Sequence, residues 1–149
     1  MKVKNLVFGS EGTGRPAGDF GLLVLRVGFG VYMAVAHGYG KIPPSEGLIG
    51  GTANLGFPAP ELFAWLAAIS EFGGGILLAI GLATRPAALA LAFTMAVAAF
   101  MAHANDPWFS MGGRSKEMAM LYLIPSVAML FTGPGRFSVD AMITGKSKR

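Results

Sequence analysis

The sequence predicts an all-α integral membrane protein, built as a four-helix bundle. Of its 149 residues 53% are hydrophobic and only 13% are charged, whereas soluble domains average roughly 25% charged residues. Four apolar runs follow one another along the chain, at about residues 20–40, 60–82, 86–104 and 117–132. Because a helix of about 20 apolar residues crosses a bilayer, these runs predict membrane spans. The short connections make neighbouring spans antiparallel.

The first two spans are separated by a long apolar loop. Residues 20–40 form the first span, and residues 41–59 contain two prolines together with several large apolar side chains. A loop of this composition is expected to lie in the membrane interface. Pro60 opens the second span at a position that suits the first turn of a helix, and Glu61 follows where the helix N-terminus favours an anion.

The last two spans are joined by a polar turn. A tight turn at residues 84–86 precedes the third span, and residues 105–115 contain Trp108 and Phe109, which are typical of the membrane–water interface. The fourth run is the shortest. We interpret it as a span because three longer runs accompany it, and residues 133–135 (Gly-Pro-Gly) end it.

The distribution of lysine and arginine predicts that both termini are cytoplasmic. The arm at residues 1–18, the turn at Arg85 and the segment after the fourth span together carry eight of these residues, and the opposite side carries three. The positive-inside rule places the richer side in the cytoplasm. No cleavable signal peptide is visible in the polar arm. We therefore expect an arm at 1–18, a membrane domain at 19–141 and a basic cytoplasmic tail at 142–149.

Composition also excludes several classes of function. The chain has no cysteine, which excludes disulfides, thiol redox chemistry, thiolate metal sites and iron–sulfur clusters. The pI is near 9.7, but the basic residues form no face interleaved with aromatic side chains. We therefore predict no binding to nucleic acid.

Two ionisable residues, Arg26 and Glu71, lie inside the first and second apolar runs. A charge at this depth is costly, so it needs a partner, a polar cavity or a function. At 100° per residue, Arg26 shares one stripe of its helix with His37 and Lys41. We expect an ion pair between Arg26 and Glu71. The alternative is that Glu71 transfers protons or contacts a polar ligand head group.

Further polar candidates lie near the outward ends of the spans. His37 and His103 are expected at the same depth, and four interpretations stay open: interfacial histidines, contacts to a quinone or a proton, axial ligands of a b-type haem, or a metal site with Asp106 or Glu117. Tyr122 could donate a hydrogen bond inside the bundle. An outward polar cluster either anchors loops or forms a binding mouth; it comprises Lys41, Asp106, Arg114, Lys116 and Glu117.

Three stretches of sequence resemble the DoxX family of small four-span membrane proteins. The first runs from Leu25-Arg26-Val27-Gly28 to His37-Gly38-Tyr39-Gly40-Lys41. The second comprises Gly56-Phe57-Pro58-Ala59-Pro60, Glu71-Phe72-Gly73-Gly74-Gly75 and residues 78–85. The third comprises Lys116-Glu117-Met118-Ala119 and residues 133–140. The resemblance covers about residues 20–141.

This resemblance implies a multi-pass protein of the bacterial inner membrane. Family members have been linked to sulfur oxidation with quinone as acceptor, and to membrane-associated oxidoreductase complexes that handle oxidative stress. The polar positions that the motifs carry across are Arg26, Lys41, Glu71, His103 and Glu117. Because this chain lacks cysteine, any thiol chemistry would take place on a partner.

Three functions follow as hypotheses. The first is a membrane subunit of an oxidoreductase system, anchoring a protein partner and offering a quinone site near Glu71 and the histidines, with no catalytic residue of its own assigned. The second is a carrier of protons or a small solute that uses the Arg26–Glu71 pair. The third is a structural subunit of a larger membrane complex. Homo-oligomers are compatible with all three.

Overall fold

The computed structural model describes residues 13–145, and within this range every regular element is helical. Four helices form the bundle. They are α1 (Pro16–Tyr32), α3 (Pro60–Ile80), α4 (Thr84–Val97) and α5 (Glu117–Thr132). Two short helices lie outside it, α2 (Glu46–Asn54) and α6 (Val139–Thr144). The predicted α-helical membrane bundle is confirmed.

Two of the long helices continue in non-α geometry. After α1 the chain forms a π-helical turn at Met33–Gly38 and a 3₁₀ turn at Tyr39–Lys41, and after α4 it forms a π-helical turn at Ala98–Ala102. With these turns the first helix spans 26 residues and the third bundle helix 19, while α3 has 21. All three are long and apolar enough to cross a membrane. Helix α5 is apolar but shorter, with 16 residues.

The bundle is held together by small residues and a compact core. Helix α1 packs on α3, α3 on α4, and α4 on α5. The core contains Met33, Leu78, Leu91, Met95 and Met129. Large apolar side chains such as Phe131, which is 78% exposed, cover the outside. An apolar exterior of this kind is what a protein embedded in a lipid bilayer requires.

The predicted loop at 41–59 contains a short helix. Ser45 caps α2 by accepting a hydrogen bond from the Leu48 backbone N–H at 3.3 Å, and α2 packs against α3. The arm and the tail are described only in part, since residues 1–12 and 146–149 lie outside the described range. The cytoplasmic location of both termini stays a prediction.

The bundle has two ends, which we name after the charged residues that they contain. The Arg26 end comprises the turn at residues 81–84 and the segment 133–145. The Lys41 end comprises residues 37–57 and the turn at 103–116.

Candidate functional site

Glu71 forms an ion pair with Lys41 at the Lys41 end of the bundle. The Lys41 Nζ atom donates to both carboxylate oxygens at 2.6 Å. Glu71 is 3% exposed, whereas the side chain of Lys41 is 36% exposed. An ammonium group carries three N–H donors. Two of those of Lys41 are used by Glu71, which leaves one for a ligand.

The prediction of an ion pair between Arg26 and Glu71 is wrong. Arg26 is buried, and its guanidinium group donates to four backbone carbonyls at the Arg26 end. The acceptors are Pro134 at 3.2 Å, Leu78 at 3.3 Å, Ala79 at 2.5 Å and Phe137. Leu78 and Ala79 lie in the last turn of α3, where the exposed carbonyls make a cation favourable, although the Leu78 carbonyl also accepts the backbone N–H of Gly81 at 3.1 Å.

Helix register explains why the two charges do not meet. A Cβ atom on Gly30 would lie 2.6 Å from the backbone nitrogen of Ala79, so the backbones of α1 and α3 are in close contact at this level. Arg26 is therefore level with the end of α3. Glu71 lies eight residues before Ala79, which is about 12 Å along the helix at 1.5 Å per residue. An arginine side chain cannot span this separation and also remain in contact with the end of α3.

His103 and Asp106 form a second polar pair at the Lys41 end. The His103 Nδ1 atom lies 2.7 Å from the Asp106 carboxylate, and the Arg114 Nε atom lies 3.4 Å from it. The hydrogen bond from His103 lowers the pKa of Asp106 below its usual value, partial burial opposes this shift, and Arg114 adds to it. An ionised carboxylate only accepts hydrogen bonds. Nδ1 of His103 therefore carries a proton, and in the neutral tautomer Nε2 is the acceptor.

A cavity of about 430 Å³, which we call the lateral groove, lies between α2, α3 and α4. Its walls are mainly apolar and include Leu55, Phe57, Phe63, Leu66 and Phe93. Leu66 is 50% exposed and Phe93 is 61% exposed. Because both belong to membrane-spanning helices, the groove opens toward the lipid. Its polar end is formed by Lys41, Ser70, Glu71, Thr94 and His103.

A second cavity of about 260 Å³, which we call the inner cavity, lies on the other side of the ion pair. It is lined by Met33, His37, Met95, Met118 and Tyr122, and it shares Lys41, Glu71 and His103 with the lateral groove. The rings of His37 and Tyr122 meet edge to face with centroids 4.9 Å apart. The two cavities therefore meet at one charged cluster.

The π-helical turns lie beside these cavities. His37 belongs to the turn after α1, and His103 ends the turn after α4. Extra residues in a helical turn change the direction of the side chains that follow, and such turns are frequent at functional sites. Hydropathy and spacing carry no signal for them, so the sequence does not reveal how both histidines come to line one cavity.

The structure brings together five of the seven predicted site residues. They are His37, Lys41, Glu71, His103 and Tyr122. Arg26 lies at the opposite end. Glu117 accepts a hydrogen bond from the Ser110 backbone N–H at 2.6 Å, which holds the turn before α5.

Sequence reasoning missed the hydroxyl pair of the groove. The Thr94 hydroxyl donates to Ser70 Oγ at 3.1 Å. The sequence feature that could have indicated this pair is the serine directly before the intramembrane Glu71. Within residues 13–145 no group of three histidine, aspartate or glutamate residues is arranged to hold a metal ion, so the metal interpretation gains no support.

Comparison with known proteins decides the family. The sequence profile of the DoxX family matches residues 21–104, which is more than half of the chain. The chain belongs to the DoxX family. The inner membrane protein YqjF of Escherichia coli (strain K12) is 34% identical to this DoxX protein over 130 residues, which cover 86% of this chain and 95% of YqjF.

Two further relatives agree with this assignment. The "Putative oxidoreductase CatD" of Bacillus subtilis (strain 168) is 31% identical over 84% of this chain and 88% of its own length. The inner membrane protein YphA of Escherichia coli (strain K12) is 29% identical over 82% of this chain and 94% of its own. No solved structure matches the chain. With its apolar helices, this DoxX protein is an integral protein of the bacterial inner membrane.

Proposed function

We propose that this DoxX protein is the quinone-binding membrane subunit of an oxidoreductase system. The observation that carries the proposal is the shape and polarity of the lateral groove, which is apolar along its length and charged at one end. Pockets of this kind use a few polar groups to orient an otherwise apolar ligand. A membrane quinone has the matching form, with a polar ring at one end of an apolar tail.

The polar end of the groove can serve both redox states of a quinone. The carbonyl oxygens of the oxidised ring accept hydrogen bonds, and the third N–H of Lys41 is available to donate one. The hydroxyls of the reduced ring donate hydrogen bonds, and Nε2 of His103 accepts one in the neutral tautomer that donates through Nδ1 to Asp106. The hydroxyls of Ser70 and Thr94 can rotate to serve either state.

The electrons must come from or go to a partner. The chain has no cysteine and, across the described range, no cluster of metal-binding side chains. The name of the CatD relative is compatible with an oxidoreductase role. The carrier hypothesis loses its stated basis, since Arg26 and Glu71 do not pair.

Native mass spectrometry of the protein extracted gently from its host membrane tests this proposal. We expect an added mass that corresponds to one quinone. In Ala90→Phe the new ring fills the groove, because Ala90 lines it, and the added mass should disappear. The matched control is Ala128→Phe, whose side chain is exposed on α5 and which should retain the quinone. Wild-type protein without any added mass would contradict the proposal.

A double variant separates the head-group contact from stability. Lys41→Met with Glu71→Gln removes both charges of the ion pair together, which avoids stranding one of them. We expect the protein to remain folded and its affinity for decylubiquinone to fall by about tenfold or more, equivalent to about 1.4 kcal/mol. Glu61→Gln, an exposed position at the start of α3, is the control.

A further inference from the structure

We propose that the inner cavity is a water-filled proton path between the quinone site and the aqueous surface at the Lys41 end of the bundle. This inference rests on the proposed function and adds a route for the protons. Oxidation of a quinol releases two protons as well as two electrons, and the electrons pass to a partner redox protein. The protons need an exit to water, and the wall of the lateral groove formed by Leu66 and Phe93 faces lipid instead.

The inner cavity has polar groups that require water. Within residues 13–145 the structure shows no protein hydrogen bond to the His37 ring nitrogens or to the Tyr122 hydroxyl, and both side chains are half-buried at the cavity wall. Buried polar groups are almost always hydrogen-bonded to protein or to ordered water. A cavity of about 260 Å³ has room for several waters, since one needs about 10–15 Å³ of probe-occupied volume.

The cavity also connects the required endpoints. At its inner end it shares Lys41, Glu71 and His103 with the lateral groove. Near the start of α5 it is bordered by Met118, which is 53% exposed. Lys41, which also lines it, is 36% exposed, so this part of the cavity lies close to the surface at the Lys41 end. Every packed element contributes a titratable group to its wall: His37 and Lys41 from the first helix, Glu71 from α3, His103 after α4 and Tyr122 from α5.

A proton leaving the quinol therefore has a continuous sequence of acceptors. His103 Nε2 or Glu71 accepts it first, and the cavity waters beside His37 and Tyr122 transfer it to the surface. His37 and Tyr122 act through the water and through His103, so they are positioning residues for the proton transfer. In this scheme no residue of the chain changes its oxidation state.

Radiolytic footprinting tests for the water without any quinone. Hydroxyl radicals formed from ordered water oxidise the nearest methionines. Met33 is 0% exposed and lines the cavity, whereas Met129 is 1% exposed and does not. If water fills the cavity, we expect Met33 to be oxidised at least about tenfold faster than Met129. Equal protection of both would show a dry cavity and overturn the proposal.

A second measurement tests the proton transfer. Protein in nanodiscs is given decylubiquinol and ferricyanide, so that one quinol and two ferricyanide ions yield one quinone, two protons and two ferrocyanide ions. We measure the rate above that of empty nanodiscs, in H₂O and in D₂O. Tyr122→Phe with His37→Gln should slow this rate by about tenfold or more, with decylubiquinol affinity unchanged. This effect is smaller than the roughly 10²–10⁴-fold of a group that itself transfers the proton, because the two residues act through water. Tyr39→Phe is the control, since Tyr39 is 71% exposed.

The outcomes separate the path from the site. A slower rate with an altered isotope effect and unchanged affinity supports the path. An unchanged rate in the double variant overturns the path alone. Wild-type protein that binds no decylubiquinol overturns the proposed function, and the path with it.

Discussion

The two ends of the bundle treat a buried charge in opposite ways. At the Arg26 end the guanidinium group is surrounded by four carbonyls, and the carboxylate of Asp140 accepts backbone N–H groups of Ala83 at 2.8 Å and Thr84 at 3.0 Å. At the Lys41 end the ion pair is bordered by two cavities. One end is closed by the protein itself, and the other keeps polar groups available for a ligand.

The comparison teaches that intramembrane charge alone does not indicate function. Arg26 and Glu71 are equally conspicuous in the sequence, yet Arg26 fastens the end of α3 to the segment 133–137. Glu71 holds a partly exposed lysine at the mouth of a groove. The distinguishing property is the position of the charge relative to the two cavities, since Lys41 and Glu71 line both of them and Arg26 lines neither.

The largest loss of stability is expected at the Arg26 end of the bundle. Arg26→Met removes the side-chain donor of the carbonyls of Ala79, Pro134 and Phe137, while the Leu78 carbonyl keeps the backbone N–H of Gly81. Hydrogen bonds to charged groups contribute about 1.5–3 kcal/mol each, so we expect a loss of at least about 4 kcal/mol in the free energy of unfolding. Unfolding in mixed detergent and dodecyl sulfate measures this loss. Arg15→Met, at an exposed position, should change little, and a stable Arg26→Met protein would contradict this role.

The next largest effect should distinguish the two partners of the ion pair at the Lys41 end. Lys41→Met strands a carboxylate that is 3% exposed, and we expect a loss of about 3 kcal/mol. Glu71→Gln should cost less, about 1 kcal/mol, because the partly exposed ammonium group can reach the interface. The same unfolding assay measures both. Equal losses would show that the pair is not asymmetrically buried.

A close contact between helices gives an intermediate effect. In Gly30→Ala the new methyl group would lie 2.6 Å from the Ala79 backbone nitrogen, so α1 and α3 must separate, at a cost of about 1–3 kcal/mol. Gly28→Ala is the matched control, since a Cβ atom there meets nothing within 4 Å. Similar stabilities of the two variants would mean that this contact does not determine the helix register.

The smallest effect concerns the turn at 103–116. The pKa of Asp106 lies below its ordinary value of 3.8, chiefly because His103 donates a hydrogen bond to it. The interaction is therefore complete above this value and lost as the pH falls through the folded-state pKa. We expect hydrogen exchange in the turn to quicken only in that acid range. In Asp106→Asn this acid-dependent change should be absent; its persistence would assign it to another group.

Much of the architecture could be predicted from the sequence. Hydropathy identified the four helices. The stripe that links Arg26, His37 and Lys41 assumes 100° per residue, and the π-helical turn at Met33–Gly38 interrupts that geometry. The pairing of Glu71 could not be predicted, because it depends on the register between α1 and α3. That register depends on backbone contacts at Gly30, which hydropathy does not report. The π-helical turns that direct the side chains of His37 and His103 also could not be predicted, because no pattern of residue types indicates them.

Photo-crosslinking with an azido-quinone in the native membrane tests the central claim most directly. The account predicts adducts in the peptides that line the lateral groove, around Phe63–Glu71 and Ala90–His103, and their loss in Ala90→Phe but not in Ala128→Phe. Adducts spread over lipid-facing positions such as Phe131, with equal labelling of both variants, would contradict a quinone site in the groove.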